Sequence, residues 1–218
     1  MGALRRFWES SVGKKIVMAG TGLIMVAFLI VHVAGNLLLF EGAEKINGYS
    51  RFLHEASELL WPARAVLLVS VILHSLAAWQ LTQRAHAARP DDYVLRDPQV
   101  TTLAARTMRW GSVALAAFIV LHILHFTTGT IHPAFSAGGV YGNVVIALRV
   151  WWVAALYLLA MVVVGLHLYH GTWSSFRTIG VAQPSRDPLR RRVALVLAIG
   201  IAGLFAIVPV AIVLGLVR

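Results

Sequence analysis

Residues 16–40 read IVMAGTGLIMVAFLIVHVAGNLLLF and contain no aspartate, glutamate, lysine or arginine. The hydrocarbon core of a bilayer is about 30 Å thick, and about 20 apolar residues cross it as a helix. The stretch is therefore long enough to span a membrane. It is too long for the apolar region of a cleaved signal peptide, and it ends in Gly35, Asn36 and Leu37 without a small-residue cleavage pattern. We expect it to be the first membrane span.

The composition of the whole chain agrees with this interpretation. Of 218 residues, 59% are hydrophobic and 13% are charged, and the mean hydropathy is +0.77. Soluble domains are about one quarter charged, so a water-soluble monomer is excluded. The chain has no cysteine, which excludes disulfides, thiolate chemistry, iron–sulfur ligation and covalently attached c-type haem within it.

Four further apolar stretches follow the first, and together they predict an all-α integral membrane protein. We expect a single domain over residues 1–218, with five spans at about 16–40, 62–83, 110–130, 150–173 and 193–217. A β-barrel is excluded because the stretches are continuously apolar rather than alternating. Pro62 suits the first turn of the second span, and Pro209 predicts a kink in the fifth.

The basic residues predict the orientation, because lysine and arginine concentrate on the cytoplasmic side of membrane proteins. Five spans would leave fourteen of the nineteen basic residues on one side and five on the other. The net charge of +10 is thus explained without nucleic acid. We expect a cytoplasmic N-terminus and an external C-terminus. The larger set is Arg5, Arg6, Lys14, Lys15, Arg84, Arg89, Arg96, Arg106, Arg109, Arg177, Arg186, Arg190, Arg191 and Arg192; the smaller set is Lys45, Arg51, Arg64, Arg149 and Arg218.

The segments between the spans are predicted to have different structures. Residues 41–61 place Leu53, Ala56, Leu59 and Leu60 at helical spacing, which indicates an amphipathic helix on the outer surface. Residues 84–109, with Arg89-Pro90-Asp91-Asp92 and Asp97-Pro98, form a polar cytoplasmic connection. Residues 131–149, rich in glycine, form a loop.

The Trp and Tyr residues, among them Trp173 and Tyr157, fit interfacial belts.

Six of the nine histidines fall within the predicted spans, where ionisable residues usually face the bundle interior and mark function. No carboxylate lies within a span, which argues against a proton relay or a di-iron site and favours neutral imidazole on haem iron. A single such histidine is typically only an interhelical hydrogen-bonder. The six are His32, His74, His122, His125, His167 and His170.

Depth sorts these histidines into two levels. Counting from the cytoplasmic edge at about 1.5 Å per residue, His74 and His167 both lie roughly 15 Å deep, and His32 lies about 25 Å deep. On the third span His122 lies at about 20 Å and His125 at about 24 Å, so depth slightly favours His125 and spacing cannot decide. Two bis-histidine haems, one at each level, would need this arrangement.

His170 lies too near the edge to match His74. It is interpreted as a helix-end hydrogen-bonder or a contact to a haem propionate.

Three segments resemble the cytochrome b membrane subunit of succinate dehydrogenases and fumarate reductases, in its single-chain, five-helix, dihaem form. They are SSVGKK at 10–15, HVAGNL at 32–37 and GLHLYHGTWS at 165–174. In that family a fourth-helix histidine is followed four residues later by glycine and six later by an aromatic residue, as His167 is by Gly171 and Trp173. The resemblance covers essentially the whole chain.

The resemblance implies the ligands, the cofactors and the partners. The ligands would be His74 with His167 on the inner haem b and His32 with His122 on the outer one, the third-helix position falling in FIVLH at 118–122. It implies an electron-transferring anchor of a succinate:quinone oxidoreductase in a bacterial inner membrane. The dicarboxylate site would lie on a separate flavoprotein, a separate iron–sulfur subunit would dock on the cytoplasmic face, and quinone, commonly menaquinone, would react near the outer face. A higher oligomer is compatible with the sequence.

Other polar residues are weaker candidates. Arg149 and Arg64 could pair with propionates of the outer haem, and Arg84 and Arg177 with those of the inner one, although positive charge at helix ends is expected in any case. Quinone reduction consumes protons, and His54, Glu55 and Glu58 follow the first span on the outer side. Those three side chains could equally be the solvated face of the surface helix.

Three alternative functions remain open from the sequence. One is a dihaem cytochrome b that serves a hydrogenase or a formate dehydrogenase. Another is a transporter or proton channel with histidine relays, although such proteins usually show interrupted helices or paired halves. The last is a structural anchor whose histidines only pack helices.

Overall fold

The computed structural model describes residues 2–88, 102–178, 180 and 187–218, and these residues form helices and short connections without a strand. A 3₁₀ turn, Leu38–Glu41, extends the second helix, and a π turn, Ile123–Thr127, extends the fifth. The α-helices are α1 Ala3–Glu9, α2 Ser11–Leu37, α3 Ala43–Glu55, α4 Ser57–Ala87, α5 Leu103–His122, α6 Val140–Leu148, α7 Trp151–Thr178 and α8 Asp187–Val213.

Five of these segments are long and apolar enough to cross a membrane, which confirms the prediction of an all-α membrane protein with five spans. They are Ser11–Glu41, Ser57–Ala87, Leu103–Thr127, Trp151–Thr178 and Asp187–Val213. Their outward surface is apolar: Leu68 is 63% exposed and Val196 is 71% exposed. Such exposure is unfavourable in water and is expected of side chains that face lipid. The chain is a multi-pass membrane protein.

The bounds of the spans differ from the predicted ones, chiefly because the helices continue beyond the hydrocarbon layer. The 27 residues of α2 cover about 40 Å, which exceeds a core of about 30 Å. Charged residues ended most of the predicted spans but do not end the helices, since they lie where the backbone is still helical. Two predicted ends are too late, because the third segment stops at Thr127 rather than at 130 and α8 stops at Val213 rather than at 217.

The order of packing places α7 at the centre of the bundle. The most extensive helix contacts join α7 to α8, α2 to α4, and α5 to α7, and α2 also contacts both α7 and α8. One apolar cluster, with Leu168, Ala198 and Ile201 at its centre, fills the space between α7, α8 and α2. This arrangement allows side chains of α4 and α7, and of α2 and α5, to meet inside the bundle.

The two short helices α3 and α6 form a cap over one end of the bundle. Ile46 of α3 and Val145 of α6 are buried in the same cluster as Leu39 and Ile212. The side-chain oxygen of Asn47 accepts a hydrogen bond of 3.0 Å from the backbone N–H of Tyr141 and ties the two helices together. The prediction of a loop over 131–149 is therefore wrong for residues 140–148.

The surface helix predicted over 41–61 is also shorter than expected. It is α3, and it ends at Glu55, because Ala56 leaves the helical conformation with a ψ of 47°. Leu59 and Leu60 belong to α4. Pro62 is consequently the sixth residue of α4 and not in its first turn, so that prediction is wrong.

The N-terminal helix α1 folds back against the start of α2, and Gly13 makes the close approach feasible. A Cβ atom at Gly13 would lie 1.9 Å from the carbonyl oxygen of Phe7. The Ser10 hydroxyl accepts a 2.8 Å hydrogen bond from the Gly13 N–H and so caps α2. The Lys14 ammonium, almost fully buried, donates to the Trp8 carbonyl.

Parts of the predicted cytoplasmic connections lie outside the described residues. These are Arg89-Pro90-Asp91-Asp92, Arg96, Asp97-Pro98 and Arg186.

Candidate functional site

Four histidines from four different helices meet as two pairs inside the bundle. The ring centres of His74 on α4 and His167 on α7 are 6.1 Å apart; this is the inner pair. The ring centres of His32 on α2 and His122 on α5 are 5.9 Å apart; this is the outer pair. The structure thus brings together the histidines that the resemblance had paired; depth had matched His74 with His167 but had slightly favoured His125 over His122 on the third span.

The separations within the pairs fit two imidazoles bound to one metal ion from opposite sides. A metal–imidazole nitrogen bond is about 2.0–2.1 Å long and the nitrogen lies about 1.1 Å from the ring centre, which places two such rings roughly 6.3 Å apart. Among the described residues no group of three or more His, Cys, Asp or Glu could hold a metal ion. Among these residues each pair thus offers two imidazoles.

The two levels are well separated along the helices. His74 contacts α2 at Thr21, and His32 lies eleven residues further along the same helix, which corresponds to about 16 Å. On α7, Tyr157 contacts His122 of the outer pair and His167 belongs to the inner pair; ten residues correspond to about 15 Å. Both helices give the same spacing, about half of a bilayer core.

His74 is held by the backbone of α2. Its Nδ1 lies 3.0 Å from the Met18 carbonyl oxygen and 3.3 Å from the Thr21 hydroxyl. A carbonyl only accepts, so Nδ1 carries the proton and Nε2 keeps its lone pair free. Gly22 lies directly beneath the ring, since a Cβ there would be 3.4 Å from Cε1 of His74.

The other member of the inner pair has an unsatisfied nitrogen. Nδ1 of His167 is buried and has no hydrogen-bond partner among the described residues, and the same holds for Nδ1 of His170 one turn further along α7. Buried polar atoms are nearly always paired in folded proteins. These two nitrogens thus lack, among the described residues, the kind of hydrogen bond that Nδ1 of His74 makes.

His170 packs edge-on against Trp173, with 6.1 Å between the ring centres. Trp173 is buried, against the expectation of an interfacial belt, and its indole N–H donates a 3.0 Å hydrogen bond to Asp187. Arg177 and Arg191 lie over the same indole ring. This cluster joins α7 to α8 at the end of the bundle nearest the inner pair.

Aromatic rings surround the outer pair. His32 stacks on Phe28 at 5.1 Å, and its ring centre lies 5.5 Å from that of Phe205. His122 lies between Phe118 and Phe126 on α5 and the π turn. Nδ1 of His122 is buried, and no residue that the structure describes hydrogen-bonds to it. A flat apolar group between the two histidines would thus meet ring faces and edges.

His125 belongs to a separate polar cluster. Its Nδ1 shares a 3.0 Å hydrogen bond with the buried hydroxyl of Tyr157, and its ring packs against His132 at 5.2 Å. Nε2 of His132 donates to the Asn143 carbonyl at 2.9 Å. The π turn carries His125, and it is His122 that lies against His32. The slight preference for His125 given by depth is not supported by this geometry.

The four candidate arginines do not contact the paired histidines. Arg84 donates to the Ser11 hydroxyl at 3.4 Å, and Arg64 lies over the Trp61 ring. Arg149 is the exposed residue that follows α6. Their role toward propionates stays a prediction, as does that of Arg177.

The candidate quinone residues lie at the junction of α3 and α4. His54, Glu55 and Glu58 are all exposed. Nδ1 of His54 donates a 2.8 Å hydrogen bond to the Ser50 carbonyl within α3. The structure therefore places these side chains on an exposed surface and not at either histidine pair, and their role toward quinone stays a prediction.

Sequence reasoning missed the residues that support the histidines. Thr21 and Gly22 stand three helical turns before His32, and a threonine beside a glycine inside an apolar span was the available signal. Tyr157 was assigned to an interfacial belt, yet it is only 7% exposed. His132 gave no signal because it lies in a segment predicted to be a loop.

Comparisons with family models, with curated proteins and with solved structures found no match to this chain.

Proposed function

We propose that the chain is a dihaem cytochrome b: a membrane anchor that relays electrons through two b-type haems, each held by one histidine pair. The observation that carries this proposal is the meeting of four histidines from four helices as two pairs, at 6.1 and 5.9 Å. Histidines that merely packed helices would have no reason to share that spacing at two levels.

Four of the five membrane-spanning helices would supply the ligands. α4 and α7 supply the inner pair, and α2 and α5 supply the outer pair. Bound haem iron supplies reversible one-electron transfer. Because each pair would hold its haem with two imidazoles, the site would suit electron relay and not oxygen binding. The aromatic rings around His32 and His122 exclude water from the outer level.

We further propose that the chain is the membrane subunit of a succinate:quinone oxidoreductase in a bacterial inner membrane. This step rests on the resemblance of residues 10–15, 32–37 and 165–174. A flavoprotein would hold the dicarboxylate site, an iron–sulfur subunit would dock on the cytoplasmic face, and quinone, commonly menaquinone in that family, would react near the outer face. The absence of cysteine fits a chain that leaves the iron–sulfur clusters to a partner.

Basic residues gather at one end of the bundle, which supports the proposed orientation. Arg84 at the end of α4 donates to Ser11 at the start of α2. Arg109 on α5 donates a 2.8 Å hydrogen bond to Nε2 of His86 on α4. The starts of α2 and α5 thus lie beside the end of α4. We assign this end, and with it the N-terminus, to the cytoplasm, and the C-terminus to the outside.

The first test is a reduced-minus-oxidised spectrum of the purified chain with haem quantification. We expect two b-type haems per chain. His74→Ala and His167→Ala should each remove one haem, and His32→Ala and His122→Ala should each remove the other. His125→Ala should keep both, and His86→Ala is the surface control. A wild-type chain without haem would overturn the proposal.

A second test concerns the complex. Purification from the native membrane under mild detergent should bring down a partner with covalent flavin and a partner with iron–sulfur clusters. Nickel or molybdenum in the partners would instead indicate a hydrogenase or a formate dehydrogenase, and would overturn the assignment to succinate chemistry while leaving the two haems in place.

A further inference from the structure

The segment of α2 from Met18 to Gly22 forms a seat for the His74 ring. The Met18 carbonyl lies 3.0 Å from Nδ1, the Thr21 hydroxyl lies 3.3 Å from the same atom, and Gly22 leaves room for the ring edge. α4 and α2 pack closely along their length. The orientation of a side chain on one helix is therefore set by atoms of another.

The Thr21 hydroxyl is itself fixed in direction. It donates within α2 to the Val17 carbonyl at 2.7 Å and also lies 3.2 Å from the Met18 carbonyl. A hydroxyl has one proton and two lone pairs, so once the proton points along α2 a lone pair is left toward Nδ1 of His74. Thr21 is 8% exposed, and water does not compete strongly for that lone pair.

This support distinguishes His74 from the other three paired histidines. Within the part of the chain that the structure describes, Nδ1 of His122 and Nδ1 of His167 have no hydrogen-bond partner. For His32 the polar neighbour is the Asn36 amide nitrogen, a donor, at 3.5 Å from either ring nitrogen. Among the paired histidines in the described part of the chain, only His74 has its Nδ1 proton directed to acceptors.

We propose that Thr21 is a positioning residue for the inner haem, acting through His74. The inference rests on the proposed function. Together with the Met18 carbonyl, the hydroxyl fixes the tautomer that leaves Nε2 free for iron and makes the imidazole a stronger donor. Loss of the hydroxyl should weaken binding at the inner site by tenfold or more. It should also raise the midpoint potential of the inner haem, because a weaker donor stabilises ferric iron less.

The experiment compares three variants of the full chain in detergent. Thr21→Val removes the hydroxyl and keeps the shape, and Thr21→Ser keeps the hydroxyl. Thr178→Val is the matched control, since the Thr178 hydroxyl also donates to the carbonyl four residues back, that of Ser174 at 3.3 Å, and has no hydrogen bond to a histidine among the described residues. The readouts are haem titration of the apoprotein and a redox titration that resolves the two haems.

We expect Thr21→Val to lower affinity and raise the potential at the inner site alone, with Thr21→Ser and Thr178→Val like the wild type. The outer haem serves as an internal standard for folding. Equal losses at both sites, a Thr21→Ser variant as weak as Thr21→Val, or no change in Thr21→Val would each overturn the role of Thr21. A wild-type chain that binds no haem would instead overturn the proposed function.

Discussion

At the scale of single residues, the inner pair depends on the lack of a side chain at Gly22. Gly22 leaves the space in which the edge of the His74 ring lies, and a Cβ there would already be 3.4 Å from Cε1. The γ-methyl groups of valine would extend beyond that atom toward the ring. Close packing in protein interiors leaves little room to absorb the three carbons that valine adds.

We therefore expect Gly22→Val to displace His74, to cost about 1–3 kcal/mol of stability through overpacking, and to lower haem content to one per chain. Gly20→Val is the matched control, because nothing lies within 4 Å of a Cβ at Gly20. The measurement is haem per chain together with the thermal unfolding midpoint. Two haems in the Gly22→Val variant would show that the seat tolerates a side chain.

The histidines could be matched by depth because a helix rises by a constant amount per residue. That rule placed His74 with His167 without any knowledge of packing. For the outer level it slightly favoured His125 over His122, although the two differ in depth by less than one turn. Their directions around the helix decide which one faces His32, and depth contains no information on direction. The supporting contacts of Thr21 and Tyr157 depend on neighbouring helices, and no spacing in a single segment encodes them.

At the scale of elements, the connection after the π turn is held by a glycine in the left-handed region. Gly129 has a φ of +70°, and a Cβ there would lie 2.2 Å from Cγ of Phe135. The segment also carries His132, which donates to the Asn143 carbonyl of α6. A change at Gly129 should therefore disturb the attachment of α6 as well as the turn.

We expect Gly129→Ala to cost more than the roughly 1–2 kcal/mol of the left-handed conformation, because the Phe135 ring must also move. Gly138→Ala should cost only the conformational part, since its φ of +78° is similar but nothing lies within 4 Å of a Cβ. Thermal unfolding measures the loss of stability in each of the two variants, and limited proteolysis measures how accessible the 128–139 segment becomes. Equal effects of the two variants would contradict the steric part of this argument.

The long spans and the presence of a surface helix within 41–61 were predictable at this scale, whereas the end of that helix and the whole of α6 were not. Five continuous apolar stretches have few alternatives in a membrane. By contrast, Gly138, Gly139 and Gly142 indicate turns, and α6 forms because Val144, Val145 and Leu148 are buried against other elements. The end of α3 at Glu55 likewise follows from a change of chain direction at Ala56 that the periodic leucines do not encode.

At the scale of the whole molecule, each histidine pair bridges helices that are not consecutive in the chain. A ligand that binds only the folded state stabilises it according to its concentration, by about 2.7 kcal/mol at one hundred times its dissociation constant. A haem that joins α4 to α7, or α2 to α5, should therefore stabilise the bundle as a whole.

We expect haem added to the apoprotein to raise the thermal unfolding midpoint in proportion to the occupancy of both sites. A His32→Ala, His74→Ala double variant is the control, because it removes one ligand from each pair and should show little rise. Circular dichroism at the helix band measures the transition. An equal rise in the double variant would mean that haem binds elsewhere on the chain.

Because each pair joins helices that are not consecutive in the chain, the two histidine pairs become complete at different times during synthesis. Both histidines of the outer pair lie within the first 122 residues, whereas the inner pair needs His167 on α7. When the helices enter the bilayer one after another, both histidines of the outer pair are present after the third span. The second histidine of the inner pair is present only after the fourth span. Until then the seat on α2 can hold the His74 ring in place. One histidine of the inner pair is therefore already positioned when His167 is inserted.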